Sequence, residues 1–290
     1  MEEITHPPVE RLAENATNRG SGVIGDLRLH EFPSKVFRNS RRLRVWLPPG
    51  YEAPKNQGRY YPTLYLNDGQ NLFDPATAFN GIEWRVDETA DQLIRQASIP
   101  PLIVVGIDHA QSDRMKEFIS YRSLDPAIPL PQGKHYPAFL MREVMPFVCK
   151  RYRIAPGPEN SGLGGSSLGA LISLYTVIAR PGIFGRLLLE SPSLYVSQRR
   201  ILRRSQTLRH WPERVFLAVG TREGGQADKD QQVVEDIRTL EGIIQRAGAD
   251  ERHLLVMIEE GATHGESAWA KRFPRALEFL FGNNGEGQTK

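Results

Sequence analysis

The chain has 290 residues, of which 40% are hydrophobic and 24% are charged, so it is long enough to bury a substantial core as one large or two small domains. The net charge is only +3, and the arginine clusters at 41–42 and 199–204 lack interleaved aromatic residues and any nucleic-acid-binding motif, so we expect no nucleic-acid partner. No run of about 18 apolar residues is present, which excludes a membrane-spanning helix. The polar N-terminus has no apolar signal-peptide core, which favours a cytoplasmic protein.

The cysteine and histidine content limits the chemistry that the chain can support. Cys149 is the single cysteine, which excludes an intramolecular disulfide. Because it lies in the apolar helical segment REVMPFVCKRY, we expect a buried structural thiol. The His, Cys and Asp residues do not have the spacing of a metal site, so we expect no metal and no organic cofactor. The sequence leaves open whether the protein forms an oligomer.

In the first half of the chain, residues 1–22 are predicted to form a flexible arm. The segments DLRLHEFPS and RRLRVWLPPGY alternate polar and apolar residues, as half-buried antiparallel strands do. The apolar runs YYPTLYLND and PPLIVVGID indicate buried central strands. The segment EWRVDETADQLIRQAS between them has helical spacing.

The second half repeats this alternation. Four segments predict strands: NSGLGGS, GRLLLES, RVFLAVGT and HLLVMIEEG. Four others predict helices: FLMREVMPFVCKRY, LGALISLYTVIARP, DQQVVEDIRTLEGIIQRAGAD and ESAWAKRFPRALEFLFG. Strands that alternate with helices predict an α/β fold with a mostly parallel sheet covered on both faces. No change of composition marks a boundary, so we expect one domain over residues 23–283 and a disordered tail over 284–290.

The glycine-rich turn in GLGGSSLGA is the most informative motif. It has no lysine or arginine to reach a phosphate, and it lacks the third glycine of a dinucleotide-binding loop. The segment 165–169 instead matches G-x-S-x-G, the nucleophile elbow between a strand and a helix, which makes Ser167 the candidate nucleophile. Ser166 is then expected to point back into the fold, and the Leu168 N–H at the helix start to stabilise an oxyanion.

A serine nucleophile needs a base and an acid that orients the base. In this fold the chain order is serine, acid, histidine. His210 and His253 precede strands and therefore lie at the wrong edge of the sheet, whereas His264 follows the strand HLLVMIEEG at the edge where open α/β sheets place their chemistry. His264 is therefore the candidate base.

The acid is expected after the strand RVFLAVG. Glu223 lies three residues beyond Gly220 with glycines on either side, and it is the preferred acid. Asp228 is the alternative, although Asp228 and Asp230 also suit the cap of the next helix.

The second oxyanion donor is expected in an early loop at the end of a strand. The turn that begins at Asp68 ends the strand TLYLN at this position. We assign the donor to the backbone N–H of Gln70, with Asn71 as the alternative.

Seven motifs occur in a characteristic order: LYLNDGQNLFD, FNGIEWRVDE, LIVVGID, RMKEFISYRS, GLGGSSLGA, VGTRE and HGESAW. Together they resemble the "putative serine esterase" family of the α/β-hydrolase fold, over about residues 24–281. That family includes enterochelin esterases, feruloyl and acetylxylan esterases, esterase D-type enzymes and mycolyltransferases. The resemblance implies an α/β-hydrolase fold with Ser167, Glu223 and His264 as the triad, and the N–H groups of Gln70 and Leu168 as the oxyanion hole.

The resemblance also suggests a pocket around the triad, with Asp68 and Asn71 near it. Trp84 and Trp269 resemble the aromatic residues that line the family's pocket, although each could instead pack a helix on the sheet. Arg114 and Glu117 resemble a family loop of the form R…EY, in which Phe118 here replaces the tyrosine.

These features predict a carboxylic ester hydrolase that works through an acyl-enzyme. An acyltransferase with the same triad and a non-catalytic binding protein on the same fold are the alternatives. The expected partner is a small-molecule ester. The sequence does not distinguish aryl, acetylated-sugar and siderophore esters.

Overall fold

The computed structural model describes residues 10–12, 22–123 and 130–282. Its strands are β1 (Glu10–Leu12), β2 (Asp26–Ser34), β3 (Asn39–Leu47), β4 (Thr63–Asn67), β5 (Ile103–Ile107), β6 (Ser161–Ser166), β7 (Arg186–Glu190), β8 (Arg214–Arg222) and β9 (Leu254–Thr263). Its helices are α1 (Val86–Arg95), α2 (Arg114–Phe118), α3 (Tyr136–Phe139), α4 (Met145–Arg151), α5 (Leu168–Ala179), α6 (Val196–Ser205), α7 (Ala227–Arg246) and α8 (Glu266–Phe281). A π-helical turn, Leu140–Val144, joins α3 to α4.

The described strands form one nine-stranded sheet in the order β1-β2-β3-β5-β4-β6-β7-β8-β9. The pairs along β1-β2-β3-β5 are antiparallel, and those from β5 to β9 are parallel. The chain runs outward in both directions from β4, which has β5 on one side and β6 on the other. Open α/β sheets bind their ligands beyond the carboxyl ends of the strands at such a reversal. The ends of β4 and β6, with Leu66 paired to Gly164, therefore frame the expected site.

Helices cover both faces of the sheet, and the central strands β4, β5, β6 and β7 are buried along their whole length. Helices α1 and α8 pack on one face through a cluster that includes Trp84, Phe273 and Leu277. Helices α3 to α7 pack on the other face through a second cluster, which includes Tyr136 and Leu240. The predicted α/β-hydrolase fold, with antiparallel N-terminal strands and helices on both faces, is confirmed.

Three details differ from the expectations. Glu10–Leu12, inside the predicted flexible arm, pairs with β2 as a strand; the rest of residues 1–21 and the predicted tail lie outside the described residues. Cys149 is exposed rather than buried, because its helix turns the preceding Val148 toward the core. The helix predicted over 139–152 contains the π turn just before Pro146, which has no N–H to continue a regular ladder. Within the described residues, no helix is long and apolar enough to cross a membrane.

Candidate active site

Ser167 occupies a sharp turn between β6 and α5. Its backbone angles, φ 54° and ψ −121°, lie in a region that residues with side chains rarely adopt. Its N–H donates to the Glu190 carbonyl oxygen at 2.9 Å, which fixes the turn against β7. Ser166, the last residue of β6, is buried as expected. The strand–turn–helix geometry of a nucleophile elbow is therefore present at the predicted segment.

Backbone N–H groups from two elements face this edge of the sheet. Leu168 is the first residue of α5, and the N–H groups of a helix's first turn have no partner within the helix. Gln70 lies in the short 3-10 turn Gly69–Asn71, directly after β4. The Asn71 N–H already donates to the Asp68 carbonyl oxygen at 2.9 Å. The Asn71 N–H, the alternative candidate for the second donor, is therefore already engaged in a hydrogen bond.

Glu223 and His264 form a hydrogen-bonded pair beyond the ends of β8 and β9. Glu223 Oε2 lies 3.0 Å from His264 Nδ1, and the two side chains are 2% and 35% exposed. Glu223 Oε1 accepts hydrogen bonds from the Gly220 N–H at 2.6 Å and the Ser191 hydroxyl at 2.5 Å. With three polar contacts, the carboxylate has a fixed orientation, and it can hold the imidazole in one tautomer.

The alternative acids are used differently. Asp228 is exposed in the first turn of α7. Asp230 accepts a hydrogen bond from the Gly224 N–H at 2.5 Å and so closes the loop that carries Glu223. Of the three carboxylates, Glu223 is the one that contacts His264.

Ser191 and Trp269 make further contacts with the Glu223–His264 pair. Trp269 Nε1 donates to Ser191 Oγ at 2.9 Å, and the Ser191 hydroxyl in turn donates to Glu223. The indole also packs edge-on against the His264 ring, with centroids 5.2 Å apart. The imidazole is therefore held by a carboxylate at Nδ1 and by an aromatic ring beside it.

The Ser167 hydroxyl points to another serine. Its Oγ lies 3.1 Å from Ser193 Oγ, and the Ser193 N–H donates to the Ser167 carbonyl oxygen at 3.2 Å. In the described part of the chain, Ser193 rather than His264 is the side-chain partner of the hydroxyl.

The other predicted pocket residues have structural partners. Asp68, which has left-handed backbone angles, forms a two-pronged ion pair with Arg114, both contacts at 2.7 Å. Asn71 Nδ2 donates to Glu266 Oε1 at 3.3 Å. Trp84 is 2% exposed and packs against Trp269, with ring centroids 5.8 Å apart. Both tryptophans therefore pack helices on the sheet, and Trp269 also contacts the histidine.

Glu117, the other residue of the R…EY resemblance, pairs with Arg41 rather than with the site. Its carboxylate accepts hydrogen bonds from the two terminal guanidinium nitrogens of Arg41, at 2.7 and 2.9 Å, and both side chains are buried. Phe118 lies in the core, 5.5 Å from the Tyr136 ring. The hydroxyl of a tyrosine at position 118 would therefore be buried.

Two cavities flank the site. One, of about 470 Å³, borders Glu223 and His264 and has Tyr195 and Lys229 on its walls. The other, of about 520 Å³, borders the turn that carries Gln70. One cavity thus lies beside the Glu223–His264 pair and the other beside the Gln70 turn.

Three carboxylates outside the site, those of Glu83, Asp87 and Glu88, have oxygens within 4.8 Å of one another. Burial raises the pKa of Asp87 to about 8 and that of Glu83 to about 7. Asp87 also accepts the Ile24 N–H at 2.5 Å. A proton held by these carboxyls at neutral pH reduces their mutual repulsion.

Sequence reasoning did not identify Ser191, Ser193 or Asn67, whose amide nitrogen contacts the Gly164 and Gly169 carbonyl oxygens. Ser191 and Ser193 lie in ESPS, directly after β7, and Asn67 is the last residue of β4. Polar residues at the carboxyl end of a parallel strand are the signal that could have found them.

The family model described as "Putative esterase" matches residues 34–280, so the chain belongs to this esterase family and is a carboxylic ester hydrolase. It is 26% identical over 254 residues to the uncharacterized protein YbbA of Bacillus subtilis (strain 168), covering 84% of this chain and 94% of YbbA. It is 24% identical over 238 residues to the ferri-bacillibactin esterase BesA of the same strain, covering 72% of this chain and 77% of BesA. Its fold is similar to that of the BES protein from Bacillus cereus, with a TM-score of 0.69, 19% identity, and coverage of 93% of this chain and 99% of that one. The resemblance to the serine esterase family is confirmed.

Proposed function

We propose that the protein hydrolyses carboxylic esters with Ser167 as nucleophile, His264 as base and Glu223 as the acid that orients the base. The observation that carries this proposal is the 3.0 Å contact between Glu223 Oε2 and His264 Nδ1 at the sheet edge where Ser167 occupies a strained turn. A carboxylate at this distance favours the imidazole tautomer with its proton on Nδ1, in which Nε2 can accept the proton of Ser167.

In the proposed reaction, the Ser167 hydroxyl leaves Ser193 and donates its proton to His264 Nε2 while Oγ attacks the ester carbonyl carbon. The carbonyl oxygen becomes an oxyanion, which the N–H groups of Leu168 and Gln70 stabilise. His264 then donates the proton to the alcohol oxygen as the C–O bond breaks, and an acyl-enzyme remains. Water then gives a proton to His264 and attacks the acyl carbon. The bond from this carbon to Ser167 Oγ breaks, His264 returns the proton to Oγ, and the carboxylic acid leaves.

The two cavities favour an ester with bulky groups on both sides of the carbonyl. Their volumes, about 470 and 520 Å³, fall within the range of small-molecule sites. The name of the relative BesA, a ferri-bacillibactin esterase, adds siderophore esters to the substrates to test. We therefore propose a comparison of short p-nitrophenyl esters, aryl esters such as methyl ferulate, and a siderophore ester.

Steady-state hydrolysis of a short p-nitrophenyl ester tests the assignment. Ser167→Ala is expected to abolish turnover, and Ser166→Ala, a change at the adjacent buried serine, is the matched control. Turnover that survives Ser167→Ala, or that follows Ser166→Ala instead, would contradict the proposal. Addition of an alcohol acceptor distinguishes hydrolysis from acyl transfer through the ratio of acid to new ester.

A further inference from the structure

The side chain of Asn67 lies between the turn that carries Gln70 and the nucleophile elbow. It is 1% exposed at the end of β4. Its Nδ2 lies 3.1 Å from the Gly164 carbonyl oxygen, 3.0 Å from that of Gly169 and 2.9 Å from Ser173 Oγ. The two carbonyls come from either side of Ser167 in sequence, so one amide group contacts both arms of the elbow.

Tyr136 holds this amide in one orientation. Its hydroxyl donates to Asn67 Oδ1, and burial raises the pKa of the hydroxyl well above its usual range, so it remains a donor at neutral pH. The opposite orientation of the amide would place its oxygen against two carbonyl oxygens. The donor side of Asn67 therefore faces the elbow.

The two glycines of the G-x-S-x-G motif make room for this side chain. A Cβ on Gly165 or on Gly169 would lie 3.1 Å from the Asn67 Cβ, closer than such atoms normally approach. The absence of side chains at these glycines thus allows the close contact with β4 as well as the sharp backbone turn. A side chain at either position would push the elbow and β4 apart.

We propose that Asn67 is a positioning residue that sets the distance between the two oxyanion donors, the N–H groups of Leu168 and Gln70. Leu168 precedes Gly169, whose carbonyl Asn67 binds, and Gln70 follows Asn67 by three residues in a tight turn. Asn67 bridges the two backbone segments that carry these donors, and it acts on the oxyanion through them. The inference rests on the proposed function.

Removal of the Asn67 contacts should destabilise the transition state more than it weakens binding of the ester. Loss of one oxyanion donor costs about 10²–10³ in rate, and a displacement of 1 Å in a site can cost about 10². We expect Asn67→Asp, which places a carboxylate oxygen against two carbonyls, to lower kcat by about 10²-fold. KM should change by less than about threefold, because the developing oxyanion depends on these donors more than the ester carbonyl does.

The experiment compares wild type, Asn67→Asp, Asn67→Ala and Tyr136→Phe for kcat, KM and the inhibition constant of a trifluoromethyl ketone, which forms an oxyanion on the enzyme. Thr176→Val is the matched control. It removes a buried hydrogen bond within α5, from the Thr176 hydroxyl to the Ile172 carbonyl oxygen at 2.8 Å, and this bond does not involve Asn67. Circular dichroism and thermal unfolding report the folded fraction of each variant. The control should lose stability while its kcat per folded molecule stays within threefold of wild type.

The expected result is a parallel loss of kcat and of ketone affinity in both Asn67 variants, with a loss of about tenfold in Tyr136→Phe. Folded Asn67 variants within threefold of wild type in both quantities would overturn the inference. If neither Asn67 variant folds, Tyr136→Phe within threefold of wild type overturns it instead. Ser167→Ala, assayed in parallel, separates the two claims: activity in that variant contradicts the proposed function, whereas its inactivity beside fully active Asn67 variants contradicts only the positioning role.

Discussion

Replacement of Glu223 by glutamine tests how the base is oriented, because it keeps the shape of the side chain and replaces one acceptor oxygen with a donor NH₂ group. Glu223 Oε1 accepts the Gly220 N–H at 2.6 Å, and a backbone N–H can only donate. The amide oxygen of the variant must therefore take this position, which turns its NH₂ group toward His264 Nδ1. The ring proton then moves to Nε2, the nitrogen that must accept the proton of Ser167.

An imidazole in the wrong tautomer costs about 10⁴-fold in kcat for a serine–histidine–acid triad. We expect a loss of this order in Glu223→Gln, with little change in KM because the acid acts on the base rather than on the binding of the ester. The assay is steady-state hydrolysis of a p-nitrophenyl ester over a range of pH. Asp228→Asn is the matched control, since this exposed carboxylate was the alternative acid, and it should stay within threefold of wild type. A loss of less than tenfold in Glu223→Gln, or a larger loss in Asp228→Asn, would refute the reasoning.

Three further predictions concern the surroundings of the triad and the buried charges. Ser193→Ala should raise the rate of acylation up to about fivefold, because it removes a hydrogen bond of about 1 kcal/mol that Ser167 makes in the free enzyme. Stopped-flow kinetics measure the acylation rate, and a tenfold loss of that rate would assign Ser193 to catalysis. Arg272→Met should cost about 3–5 kcal/mol in urea unfolding, since it leaves Glu190, paired with Arg272 at 2.8 and 3.0 Å, buried and without its cation; a cost below about 1 kcal/mol would contradict this. The pKa of Asp87, raised by burial to about 8 from 3.8, means that the folded protein binds one more proton than the unfolded chain between these values. The free energy of unfolding of wild type then falls as pH rises through this window, by at most about 1.4 kcal/mol per pH unit. The difference obtained by subtracting the wild-type value from that of Asp87→Asn should therefore increase from pH 5 to 8.5. A constant difference between the two would exclude this titration.

Much of the fold could be predicted because its strands and helices carry clear periodicity. The segment DLRLHEFPS coincides with β2, and ESAWAKRFPRALEFLFG covers α8. Helix α6 was missed because its arginines obscure the apolar pattern of the buried Ile201 and Leu202. The strand Glu10–Leu12 is too short to show a period, and its pairing with β2 depends on a contact distant in sequence.

The sequence could locate those residues of the candidate site that directly follow the strands of the sheet. Glu223 and His264 follow adjacent parallel strands, so their approach could be expected from topology alone. The contacts of Ser191, Ser193 and Asn67 depend on which rotamer reaches across to a neighbouring loop, which periodicity does not encode. The roles of Trp84 and Trp269 depend likewise on how α8 packs beside α1, and two bulky aromatic rings in sequence do not distinguish a core from a pocket.

The most direct test of the central claim is covalent labelling with an aryl organophosphonate, followed by mass spectrometry of the peptides. Our account predicts one phosphonyl group per chain, on Ser167, with labelling abolished in Ser167→Ala, retained in Ser166→Ala and strongly slowed in Glu223→Gln. A folded wild-type protein that takes up no label, or that carries it on Ser166 or Ser193, would contradict the claim that Ser167 is the nucleophile.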